Sequence, residues 1–112
     1  MGYVLDNLTP IASGYYQISV DGTAKSLATL IGASIPQDSS ACLIQIDENN
    51  DLSNANLGVR YREDGGTPTT TNGFVMGQGD YREFTNRPQI DNLLFISAEA
   101  TSVTVNVQFY KS

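Results

Sequence analysis

The chain has 112 residues, a net charge of −6, 40 % hydrophobic and 16 % charged residues, and no histidine. That is the length of one ordinary domain, able to bury a core without metals or cross-links, and its low charge content argues against disorder. The acidic balance repels phosphate backbones and anionic lipid, so neither nucleic acid nor a membrane is an expected partner.

The opening segment, Met1 to Asp6, has no basic region and no long apolar stretch, so no signal peptide is expected. Met1-Gly2 resembles a myristoylation start, but the sixth position is Asp6 where Ser or Thr is required. Asn7-Leu8-Thr9 matches a glycosylation sequon that has no function without secretion. Residues 1–13 are expected to form an extended N-terminal arm.

Tyr16, Ile18 and Val20 alternate with Gln17 and Ser19, and Asp21-Gly22 closes this first strand with a turn. Between Ala24 and Ile35, Thr29, Gly32 and Pro36 discourage a long helix. A loop with one short helical turn is expected there, plugging the core through Leu27, Leu30 and Ile35. Ala41 to Ile46 reads as a strand containing Cys42, the single cysteine, which rules out an intrachain disulfide and suits a buried thiol.

Asp47 to Asn54 is a polar hairpin turn. Taken as a calcium loop from Asp47, it has Leu52 where glycine belongs and Gly58 where the bidentate Glu belongs, so the motif fails. Leu57, Val59 and Tyr61 alternate with Gly58, Arg60 and Arg62 as a further strand, and Asp64-Gly65-Gly66-Thr67-Pro68 is a strong turn signal. The glycine-rich stretch 65–79 lacks the spacing and lysine of a phosphate loop.

Phe74–Met76 and Tyr81–Phe84 read as short strands around the turn Gly77 to Asp80. Leu93–Ser97 is an apolar run, hence a central strand. Val103, Val105, Val107 and Phe109 alternate with Thr104, Asn106, Gln108 and Tyr110. These last two strands are expected to form an antiparallel hairpin through residues 98–102.

The whole reads as one all-β domain over 1–112: an antiparallel β-sandwich, jelly-roll-like, with at most one short helical turn. Catalysis is not expected. Without histidine there is no Ser-His-Asp or Cys-His constellation, no usual imidazole base and no histidine-bound metal. No catalytic residue, cofactor or metal ligand is assigned. Tyr15, Tyr16, Tyr81 and Tyr110 cannot all enter the core, because neighbours on a strand face opposite ways; exposed tyrosine suits interfaces or sugar stacking.

The run Val59-Arg60-Tyr61-Arg62-Glu63-Asp64-Gly65-Gly66-Thr67-Pro68-Thr69 is followed by Gly73 and Gly79-Asp80. The chain then carries Leu94-Phe95-Ile96-Ser97 and Val103 to Tyr110. Over roughly Gly14 to Lys111 this resembles small β-sandwich proteins that recur in the structural modules of tailed bacteriophages. The resemblance implies a non-enzymatic virion structural protein made in the host cytoplasm, a head decoration or cement protein or a related capsid-associated component. It implies self-association, as a homotrimer, and contact with other virion proteins such as the major capsid protein. Arg60, Arg62, Asp64 and Tyr81, near or within the segment that carries the likeness, are the expected interface residues. The alternative is a carbohydrate- or receptor-binding module of a phage tail or fibre, which needs a concave face lined by Tyr15, Tyr16 or Tyr81 with Asn or Asp nearby.

Overall fold

The computed structural model describes residues 7–99 and 101–112. In chain order the elements are β1 (Thr9–Val20), β2 (Lys25–Ser26), α1 (Leu27–Ile31), β3 (Ala41–Ile46), β4 (Val59–Arg62), β5 (Phe74–Met76), β6 (Tyr81–Phe84), α2 (Arg87–Asn92), β7 (Leu94–Ser97) and β8 (Val103–Lys111). The strands form two four-stranded sheets, ordered β1-β8-β3-β6 and β2-β7-β4-β5, with antiparallel neighbours throughout. This is an all-β sandwich.

The period-2 pattern explains the layers. On β8, Val103, Val105, Val107 and Phe109 are buried, while Thr104, Asn106, Gln108 and Tyr110 are only half-buried on the opposite face. The register places Ile18 and Ile46 beside Val105, Ile44 beside Val107, and Cys42 beside Phe109. The second sheet adds Val59, Tyr61, Met76 and Phe95 to the same cluster, and the helices add Leu27 and Ile90. Each such side chain removed from water contributes about 1.5–3 kcal/mol. Tyr61 ties the layers together. Its ring lies 5.8 Å from Phe74 and 5.9 Å from Phe95 within its own sheet, and edge-on at 5.5 Å from Phe84 of the other. Burial pushes the Cys42 thiol up to about 12, so it stays a neutral, inert core group.

Several expectations need correction. β7 and β8 do not form a hairpin: β7 pairs with β2 and β4, whereas β8 pairs with β1 and β3. The link after β7 crosses from one layer to the other, and the buried Ser97 hydroxyl knits it by donating to the Glu99 and Thr101 carbonyls. The polar stretch after β3 is likewise a crossover between sheets rather than a hairpin turn. Alternation specifies a strand with one buried face, but it does not specify which layer owns that strand.

Among the described residues there are also two short helices, not one. α2 is started by Asn86, whose side chain accepts from the Gln89 amide, with Pro88 in its first turn. α1 falls on the expected turn, with Ser26 as its N-cap and Gly32 at φ 73° closing it. It buries Leu27 fully, and Ile35 lies in the same core, but Leu30 is only half-buried against it. Of the expected arm, residues 1–6 lie outside the described residues, and 9–13 belong to β1.

Candidate functional site

A concave area on the outer face of the first sheet gathers uncharged polar and aromatic groups. Register defines two adjacent rows across its four strands. One runs Tyr15, Gln108, Leu43, Glu83; the other runs Gln17, Asn106, Gln45, Tyr81. Tyr15 stands on one edge strand and Tyr81 on the other. Three strand spacings separate them, about 14 Å. They are 54 % and 41 % exposed. Between them lies a cavity of about 360 Å³ lined by Tyr15, Leu43, Gln45, Tyr81, Asn106, Val107 and Gln108.

A bulge aims Tyr15 at this floor. Between Pro10 and Tyr15 β1 advances five residues while β8 advances two, from Tyr110 to Gln108. The odd excess inverts the alternation, so Tyr15 shares the outer face with Gln108. Ser13 takes the left-handed conformation at φ 59°. A Cβ on the neighbouring Gly14 would sit 2.8 Å from the Ile11 carbonyl oxygen, so only glycine fits without a shift. Gln108 Nε2 donates to that same Ile11 carbonyl at 3.3 Å and to the Phe109 carbonyl at 2.9 Å.

Asn106 is the hub of the floor. Its Oδ1 accepts from the Tyr15 hydroxyl at 2.6 Å and from Gln17 Nε2 at 3.2 Å. Its Nδ2 donates to Gln45 Oε1 at 3.3 Å and to Asp47 Oδ2 at 3.1 Å. Hydrogen bonds from the Asn49 amide and from Asn106 hold the Asp47 carboxyl below its usual range. Next to Asp47, Asn50 donates to the Thr104 carbonyl and accepts from the Thr104 amide, substituting for a strand partner. The acidic run that resembles a calcium loop therefore spends these polar atoms on the β8 backbone and on Asn106. Among the described residues no group of three or more His, Cys, Asp or Glu is placed to hold a metal ion.

The expected interface residues do not form one surface. Arg60 and Arg62 are on β4 of the second sheet, and Tyr81 is on β6 of the first. Arg60 donates to the Thr70 carbonyl at 3.0 Å and to the Gly73 carbonyl at 2.8 Å, fastening the loop between β4 and β5. Arg62 makes a bidentate pair with Asp64, at 3.1 and 2.7 Å, and Asp64 also accepts from the Gly66 amide. The guanidinium and that amide lower the Asp64 carboxyl to about 2. Arg62 and Asp64 line a second, open hollow with Asn72, Gly73 and Phe74. Phe74, at 64 % exposure the most exposed large apolar side chain among the described residues, lies on edge strand β5 and was not singled out from the sequence. Its inward register position gave no sign that an edge strand would leave it uncovered. Gln45, Asn106 and Gln108 were also missed, because their alternation reads as an ordinary wet face.

Comparison with family models, with curated proteins and with solved structures returns no match.

Proposed function

We propose that the protein is a non-enzymatic virion structural domain with a jelly-roll topology, acting by association with copies of itself and with a capsid surface. The observation that carries this reading is the nesting of strand pairs. β1 pairs with β8, β2 with β7, β3 with β6 and β4 with β5. That is the pattern of a long hairpin rolled into two sheets, an arrangement used by viral capsid and lectin domains. The resemblance of residues 59–69 and of the closing strands to tailed-phage virion proteins points the same way. Fold alone does not assign function, so the site of association matters.

The corner formed by Arg62, Asp64 and Phe74 supports a place for it. An exposed aromatic ring beside a bidentate ion pair has the anatomy of an interface anchor with a polar rim. A homotrimer formed there buries on the order of 1,200 Å² or more per interface. Light scattering after gel filtration measures the oligomer, and co-sedimentation with capsids lacking the protein measures docking. Phe74→Arg is expected to yield a folded monomer that no longer sediments with particles. A wild-type protein that stays monomeric and ignores particles overturns the reading.

A further inference from the structure

The groove on the outer face of the first sheet lies on a different sheet from the association corner, and its composition suits a different partner. We propose that it binds a neutral carbohydrate, with Tyr15 and Tyr81 as stacking platforms and Gln45 and Gln108 as hydroxyl-recognising groups.

Four observations carry the proposal. The cavity, about 360 Å³, falls in the size range of small-ligand sites. Its flanks are two exposed tyrosines on opposite edge strands, separated by more than one sugar ring. A pyranose offers an apolar face of C–H groups to an aromatic ring and a rim of hydroxyls to its surroundings, and the tyrosines with the amides between them match both. A chain of sugars running across the strands can meet both rings.

The floor is preset. Asn106 is fully engaged by Tyr15, Gln17, Gln45 and Asp47, so it orients its neighbours. Among the described residues, the Gln45 side-chain NH2, the Gln108 side-chain Oε1 and the Tyr81 hydroxyl make no hydrogen bond within the protein. They supply donors and acceptors to hydroxyls, which are both.

Charge selects the ligand class. Among the described residues, no charged side chain lines the cavity. The carboxylates closest in register are Asp47, bonded to Asn106, and Glu83, opposite Leu43. Arg82, next along from Tyr81 on β6, donates to the Tyr81 carbonyl. Uronic and sialic acids would meet carboxylates without a cation in the groove lining, so the ligand is uncharged.

The test is a titration of the full chain followed by backbone amide NMR. The probes are maltohexaose, cellohexaose, xylohexaose and chitohexaose, against hexagalacturonate as the acidic control. At least one neutral probe is expected to shift the amides of Tyr15, Gln45, Tyr81, Asn106 and Gln108, with Kd between about 10 μM and 1 mM. Tyr81→Ala and Tyr15→Ala are expected to bind about tenfold more weakly while keeping the fold, since both rings are partly exposed on edge strands. Tyr15→Phe keeps the ring and stays within about threefold of wild type. The proposal is overturned if no neutral probe shifts groove amides at about 10 mM, if the shifts map elsewhere, if Tyr81→Ala binds normally, or if hexagalacturonate binds more tightly. Phe74→Arg leaves this readout unchanged, so failure here and failure of the association reading are distinguishable.

Discussion

The outer faces of the two sheets use polar residues in opposite ways. On the second sheet Arg60 and Arg62 are charged and conspicuous in the sequence, yet their hydrogen bonds end within one loop: on Thr70, Gly73 and Asp64. On the first sheet the groove is lined by neutral amides and tyrosines with Leu43 and Val107, and part of their hydrogen-bonding capacity has no protein partner among the described residues. Charge catches the eye in a sequence, but a guanidinium must be satisfied, and a nearby carbonyl or carboxylate satisfies it. Uncharged groups on a wet strand face can be left to water and are therefore available to a ligand. In this molecule the charges fasten a loop, and the neutral groups form the cavity.

The two faces share one interior, so the largest effect is expected from removing what lies between them. Tyr61 is 5 % exposed and touches Phe74, Phe84 and Phe95. Tyr61→Ala is expected to cost about 3–5 kcal/mol in urea unfolding, by lost transfer energy and an unfilled cavity. Amide shifts should then spread over both outer faces alike. A loss confined to the second sheet would show that the layers are less coupled than the aromatic contacts imply.

A smaller change should separate the faces. Gly14→Val places a Cβ against the Ile11 carbonyl, a backbone atom that moves only if the bulge moves. The expected cost is on the order of 1–3 kcal/mol. Tyr15 and the Ile11–Gln108 contact should shift, while the Arg62–Asp64 corner keeps its spectrum. If both corners respond equally, the bulge does not act as a local device for aiming Tyr15.

Much of this architecture was readable from the sequence, because the second half of β1, β4 and β8 carry clean alternation, and β3 and β7 are apolar runs bounded by turns. The layer assignment was not readable. Residues 98–102 are short enough for a hairpin, and only Ser97 bonding back across the link, together with the partners of β7 and β8, reveals a crossover. α2 was hidden by its brevity, although Asn86 followed by Pro88 is a start signal that a longer apolar stripe would have made visible. The groove was half readable: the sequence says that Tyr15, Tyr16, Tyr81 and Tyr110 cannot all enter the core, but not that registers with Gln108 and Asn106 bring Tyr15 and Tyr81 on two edge strands around a common floor. The bulge at Ser13-Gly14 is also invisible there: its odd excess inverts the facing of β1 on either side of it.

The smallest expected effect concerns acid, and it separates the fastened loop from the groove most finely. Asp64, Asp21, Asp47 and Glu99 all have carboxyls held below their usual range, each by hydrogen bonds from a side chain or backbone amide, with Asp64 at about 2. A group whose folded pKa is depressed contributes stability in full above its unfolded pKa, near 4, and loses it as pH falls through the folded value. Unfolding free energy should therefore be level above about pH 5 and fall from there toward pH 2. Asp64 is 61 % exposed on its side chain, so solvent screens its pair with Arg62. Asp64→Asn is expected to lower stability at pH 7 only slightly. That difference should vanish by about pH 2, where wild-type Asp64 is itself becoming protonated. Asp47→Asn should flatten the same acid limb, and in addition shift the Asn106 side-chain amide, because it alone of the four reaches the groove hub. If Asp64→Asn moved the groove signals as far as Asp47→Asn does, the loop and the groove would be one electrostatic unit, and the division of labour between the two faces would fail.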